Sequence, residues 1–290
     1  MMNIPVFRKG LAEFIGTFML VFFGCGSVHT AVLCGAQVGI WQIAIVWGLV
    51  IGFAIFITGA ISGGHLNPAM TLVFAVRRGL PWNEAGAYWA GQFSGAFCAA
   101  ALLFILFQPL LKAKEDELGV KRGEPGSVAT AKCYGEYYSS PDAISIANLS
   151  EGQTWETAWE KQSKLVPQTL AFLAEMLGTA VLAFVVFAMI DPKNPARPSP
   201  QMLPLFVGLT ISMLISVIAP LTQAGFNPAR DFGPRLFAFI AGWGSVAIPG
   251  PNGIGFLTAY ILAPCIGSVL GGTLYDIAIR PGLPQSEQTP

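Results

Sequence analysis

The sequence predicts an all-α integral membrane fold of six transmembrane helices plus two re-entrant half-helices, built as an inverted repeat. Three observations predict it. Of the 290 residues, 53% are hydrophobic and 11% charged, with a mean hydropathy of +0.60, far from the roughly 25% charge of a soluble domain. Apolar stretches near the ~20-residue length that crosses a bilayer fall at 8–32, 40–60, 84–107, 167–190, 203–221 and 254–279. Finally, Asn67-Pro68-Ala69 recurs as Asn227-Pro228-Ala229, and its surroundings recur with it. Ala12-Glu13-Phe14-Ile15-Gly16-Thr17 places Glu13 54 residues before the first Asn, and Ala174-Glu175-Met176-Leu177-Gly178-Thr179 places Glu175 52 residues before the second. The chain 1–290 is therefore a single domain holding two repeats, about 8–107 and 167–279. With three crossings per repeat, the second copy enters the membrane from the opposite side.

The first span follows Arg8 and Lys9 but is not a cleaved signal, because its apolar run is too long and contains Glu13. Each Asn-Pro-Ala follows a turn, Ser62-Gly63-Gly64-His65-Leu66 or Thr222-Gln223-Ala224-Gly225-Phe226, and leads into a short apolar segment, 68–77 or 228–239. Those segments are too short to span. Asn is a favoured N-cap and Pro suits the first helical position, so each tripeptide starts a half-helix. Irregular backbone at membrane depth is tolerated only where protein buries it or where it lines a water-filled cavity. Inversion would bring the two half-helix N-termini together near the midplane, each carrying about half a positive charge. Such a waist opposes cations, while Asn amide N–H groups donate to a passing oxygen.

Segment 108–166 reads as an extracellular loop covering a vestibule, with Tyr134, Tyr137, Tyr138, Trp155 and Trp159 and one short helix around 151–165. Asn148-Leu149-Ser150 fits a glycosylation sequon, and Pro192, Pro195, Pro198 and Pro200 make the connection between spans four and five an extended linker. Arg8, Lys9, Arg77, Arg78, Lys193, Arg197 and Arg280 fall on one side of this topology. Both termini are thus expected to be cytoplasmic, in the cell membrane. Zero net charge argues against nucleic acid as a partner. Cys25, Cys34, Cys98, Cys133 and Cys265 show no metal-ligand spacing or even-numbered framework, and read as unpaired apolar fillers.

Glu13 and Glu175 are matched intramembrane acids, which are costly and usually functional. They form either a proton relay or braces that accept hydrogen bonds from broken backbone; their symmetry favours braces. His65 reads as a hydrogen-bonded structural residue rather than a ligand, since the one other histidine is His29 and no metal site is expected.

These residues resemble the major intrinsic protein family, the aquaporins and aquaglyceroporins. Ser62 to Ala69 is similar to that family's first signature loop and Asn227-Pro228-Ala229-Arg230-Asp231-Phe232-Gly233-Pro234-Arg235 to its second. The resemblance implies an aquaporin-like pore in each subunit of a homotetramer, with no cofactor. Asp231 followed by Arg235 resembles the glycerol-conducting branch. It also implies an outer constriction of Arg230, Trp47, Ala224 and Ile215. Trp47 and Arg230 match glycerol facilitators, whereas Ala224 stands where they place Phe and Ile215 where they place Gly. Tyr260-Ile261 mixes features of the water and glycerol branches. The expected function is a passive channel for glycerol, related polyols, urea and water that excludes ions and protons. Two rivals remain open: an ion- or proton-coupled secondary transporter, which shares inverted repeats and broken helices, and a membrane enzyme, for which the chain offers no nucleophile or phosphate loop.

Overall fold

The computed structural model describes residues 4–139 and 154–284, and these form helices without strands. Six helices are long and apolar enough to cross a membrane: α1 (Val6–Cys34), α2 (Ile40–Ser62), α4 (Trp82–Leu118), α7 (Gln168–Ile190), α8 (Leu203–Thr222) and α10 (Gly255–Gly282). Between them lie the half-helices α3 (Pro68–Arg78) and α9 (Pro228–Ala238), and two short helices, α5 (Val128–Ala131) and α6 (Trp155–Ser163). Helix α6 falls within the predicted 151–165; residues 151–153 and the sequon at 148–150 lie outside the described residues.

One boundary differs clearly from the sequence expectation. Helix α4 continues past 107 to Leu118, so the connection begins about ten residues later than the apolar pattern suggests. The added turns are polar and carry the pairs Lys112–Asp116 at 2.8 Å and Lys114–Glu117 at 3.0 Å. Pairs at these spacings support helix beyond the bilayer. Gly119, at φ +65, ends it.

The helices pack as two copies of one motif. Helix α1 lies against α4 and α7 against α10, while α2 and α8 join the halves. Gly95 of α4 abuts the carbonyl of Phe14, and Gly267 of α10 abuts that of Met176. Phe14 and Met176 directly follow Glu13 and Glu175, so the same close approach is made twice. Small residues of this kind let membrane helices pack backbone to backbone. Outward faces carry large apolar side chains such as Phe23, Phe53, Phe56, Ile105 and Val217, whereas Glu13 and Glu175 are fully buried. Polarity is thus turned inward, as a lipid solvent requires.

Charges collect at the two ends of the bundle. At the end where α1 begins and α10 finishes, Lys9 meets Glu84 at 2.7 Å, Arg77 and Arg78 meet Asp276 at 2.9 and 2.8 Å, and Arg280 meets Asp191 at 3.2 Å. At the other end, residues 120–139 fold onto the bundle instead of standing away from it. Val128, Tyr134 and Tyr137 share a buried cluster with Leu111 of α4 and Trp243, and Arg122 pairs with Glu115. The cysteines are free, Cys25 and Cys133 being buried.

A Cβ at Gly267 would meet the backbone of Met176, which cannot rotate away. Gly267→Leu should therefore cost about 1–3 kcal/mol through overpacking. Thermal melting in detergent should fall by several degrees, whereas Gly86→Ala, where nothing lies within 4 Å of the added atom, should leave it unchanged.

Candidate functional site

The site is assembled at the two broken segments. Asn67 caps α3, its Oδ1 accepting from Ala69 N–H at 2.9 Å; Asn227 caps α9, accepting from Ala229 and Arg230 N–H at 3.0 and 3.2 Å. Pro68 and Pro228 occupy the first helical positions, where no donor is needed. The amides then cross. Asn67 Nδ2 donates to the carbonyl of Phe226 and Asn227 Nδ2 to that of Leu66, both at 2.8 Å. Sequence reasoning leaves each amide wholly free for a passing oxygen; the structure spends one of its two hydrogens on the opposite repeat and leaves one.

The carboxylates of Glu13 and Glu175 hold the loops that precede these caps. Glu13 accepts from Ser62 Oγ at 2.6 Å, His65 N–H at 2.9 Å, Leu66 N–H at 2.6 Å and Gln92 Nε2 at 2.7 Å. Glu175 accepts from Thr222 Oγ1 at 2.5 Å, Gly225 N–H at 2.9 Å and Phe226 N–H at 2.7 Å. One turn further, Gly16 and Gly178 leave room for the side chains of Leu66 and Phe226. The shared pattern Ala-Glu-x-x-Gly-Thr is thus a receptor for the residue before each Asn: its Glu takes that residue's N–H and its Gly takes the side chain. Leu66 and Phe226 sit at φ +52 and +53, a left-handed conformation that needs such support. Ser62 and Thr222 occupy the same place five residues before each Asn, a signal present in the repeat but passed over. Tyr88 and Tyr260 complete the symmetry, donating to the carbonyls of Ser62 and Thr222 at 2.7 and 2.9 Å.

A cavity lies between the repeats, and a second, wider one adjoins it at Trp47, Ile215 and Arg230. The wall of the first is apolar over Leu20, Ile51, Leu182, Val186, Val207 and Ile211, and polar at Asn67, Asn227 and Arg230. His65 also lines it, with Nδ1 3.2 Å from Thr71 Oγ1 and its ring against Phe74 and Tyr88. Trp47, Ile215, Ala224 and Arg230 come together in this wall, and Trp47, Ile215 and Arg230 also border the vestibule beyond. Arg230 Cζ lies 4.3 Å from the Trp47 ring centre, within cation–π range. Helix α2 can place the Trp47 ring because Gly24 of α1 carries no side chain to displace it. Asp231 does not face the cavity. It binds Arg235 through both carboxylate oxygens, at 2.9 and 3.0 Å, and takes the N–H of Glu136 at 2.7 Å.

Arg230 is not the isolated cation that the sequence suggests. Glu136, from the connection between α4 and α7, forms an ion pair with it. Nothing in the spacing of a long loop marks Glu136, and sequence reasoning missed it. A cation at a helix N-terminus is unfavourable against the dipole, and the carboxylate offsets it.

Six spanning helices, two half-helices meeting head to head and two cavities that adjoin at Trp47, Ile215 and Arg230 are the architecture of a membrane channel. The chain belongs to the major intrinsic protein family: residues 1–275 match its sequence profile. Among curated proteins, it is 36% identical to the glycerol uptake facilitator of Pseudomonas aeruginosa over 281 residues, covering 97% of this chain and 92% of the relative. It is 34% identical to the propanediol uptake facilitator of Citrobacter freundii, covering 98% and 96%, and 34% identical to the glycerol uptake facilitator of Escherichia coli K12, covering 94% and 89%. The solved aquaglyceroporin of Plasmodium falciparum shares the fold, with a TM-score of 0.77, 23% identity and coverage of 96% and 98%. The protein is a passive channel for small neutral solutes and not an enzyme.

Glu175→Gln would turn an NH₂ towards one of the N–H groups that the carboxylate now accepts. Leaving a buried donor unpaired costs about 1–3 kcal/mol, so melting in detergent should drop by several degrees. Glu175→Asp, which keeps both acceptor oxygens, should lose less.

Proposed function

We propose that the channel passes glycerol and related short polyols, with urea and water, down their gradients in the cell membrane, while excluding ions and protons. The observation that carries this reading is the mixed cavity wall: aliphatic side chains such as Leu20, Ile51, Leu182 and Val186, together with the donors of Asn67, Asn227 and Arg230. A polyol has the matching two parts, a carbon backbone and a row of hydroxyls. An ion would lose its hydration and find a positive waist at the two half-helix starts. The names of the relatives, glycerol and propanediol uptake facilitators, support the same class of solute.

Trp47, Ile215, Ala224 and Arg230 act in this reading as the selectivity constriction, and the two Asn-Pro-Ala segments as the waist. Glu13, Glu175, His65 and Asp231 support them. Ala224 is only 2% exposed and sits at φ +63, so it gives the constriction space on one side while Ile215 closes the other. The protein works as a homotetramer of four pores, with both termini cytoplasmic and the Glu136 loop outside. Coupling to sodium or protons would need titratable groups along the path. Among the described residues these are His65 and Arg230 in the cavity between the repeats, with Lys114, Lys132 and Glu136 bordering the vestibule.

Stopped-flow light scattering on proteoliposomes tests the function. Glycerol permeability should exceed that of empty vesicles by at least tenfold and ignore imposed pH and sodium gradients. Accumulation of glycerol against its gradient, driven by either ion, would overturn the channel reading. The pair Ala224→Phe and Ile215→Gly should raise the glycerol-to-urea permeability ratio; an unchanged ratio would remove both residues from the constriction.

A further inference from the structure

The outer end of the pore carries a charge that neither repeat supplies. Segment 134–138 is fixed on α9 through its backbone. Glu136 N–H donates to Asp231 Oδ1 at 2.7 Å, Arg235 Nη2 donates to the Glu136 carbonyl, and Tyr137 N–H donates to Gln223 Oε1 at 2.8 Å. Gly135 lacks a side chain where a Cβ would stand 2.9 Å from Arg235 Cζ, so the guanidinium can press against the loop. The Tyr137 ring centre lies 4.8 Å from Arg235 Cζ. None of these anchors uses the Glu136 side chain. They position it instead, so that its carboxylate pairs with Arg230 while the guanidinium rests on Trp47. Each side chain of the pair is 5% exposed, and solvent therefore screens the pair little. Glu136 borders the vestibule with Trp47, Ile215 and Arg230, at the step where a solute leaves water for the constriction.

We infer that Glu136 is a specificity-determining residue of the pore, which neutralises Arg230 and makes the outer constriction a paired donor and acceptor site rather than a cationic ring. The inference rests on the channel reading above. Glycerol and urea both donate and accept hydrogen bonds, and at this step they meet a carboxylate oxygen beside guanidinium N–H groups. Ion rejection at the mouth then depends on the balance of the pair. Removing Arg230 alone leaves a bare carboxylate that gathers protons and cations; removing Glu136 as well takes that attraction away.

The test uses full-length protein in liposomes holding a pH-sensitive dye, with glycerol flux measured by light scattering on the same preparations. Arg230→Ala should raise the proton leak at least threefold, and Arg230→Ala with Glu136→Gln should lose at least half of that increase. Glu136→Gln alone, which keeps the backbone anchors, should lower glycerol flux at least twofold, with Glu136→Asp restoring most of it. Equal proton leak in Arg230→Ala and the double variant, whatever its size, overturns the inference, as does wild-type glycerol flux in both Glu136→Gln and Glu136→Ala. Failure of the unaltered protein to conduct glycerol would instead remove the reading beneath it.

Discussion

Everything at the centre of this molecule depends on two buried carboxylates finding enough donors. Glu13 and Glu175 are fully buried, where an unpaired charge would be too costly for a membrane protein to keep. The backbone N–H groups of the broken segments are equally costly in lipid. Each problem resolves the other: the carboxylate accepts from the two N–H groups ahead of the Asn, and a hydroxyl from Ser62 or Thr222 fills a further site. The left-handed turn at Leu66 or Phe226 is then held firmly enough for the Asn to cap a helix at mid-depth.

From that anchoring the rest follows in order. Fixed caps aim the Asn amides across the waist, the half-helices align behind them, and the second half-helix delivers Arg230 to the outer end of the cavity. Asp231 and Arg235, two and six positions beyond the tripeptide, face away and clamp the loop between α4 and α7. The half-helix therefore organises the pore on one side and its outer cover on the other.

Much of this was legible in the sequence because it is written twice. The six spans, both half-helix starts and the paired Glu motifs appear as local patterns, and repetition separates them from chance. Trp47 and Arg230 could be placed through resemblance, and they do meet. Two kinds of feature stayed hidden. The continuation of α4 to Leu118 depends on charge pairs beyond the apolar run, which hydropathy reads as an end. Glu136 depends on a fold-back of nearly a hundred residues onto Asp231, a contact without periodicity or motif. The occupied half of each Asn amide was hidden for a similar reason, since its acceptor lies in the other repeat, about 160 residues away.

The crossed bonds Asn67 to Phe226 and Asn227 to Leu66 have the reciprocity of a two-fold dimer, in which residue i touches j and j touches i. Such an interface is self-complementary, so a half-length chain carrying one signature loop could complete it with an identical partner lying the other way up. The two copies nevertheless differ at the turn itself, Gly63-Gly64 in the first against Gln223-Ala224 in the second, so a symmetric set of crossed bonds holds an asymmetric passage.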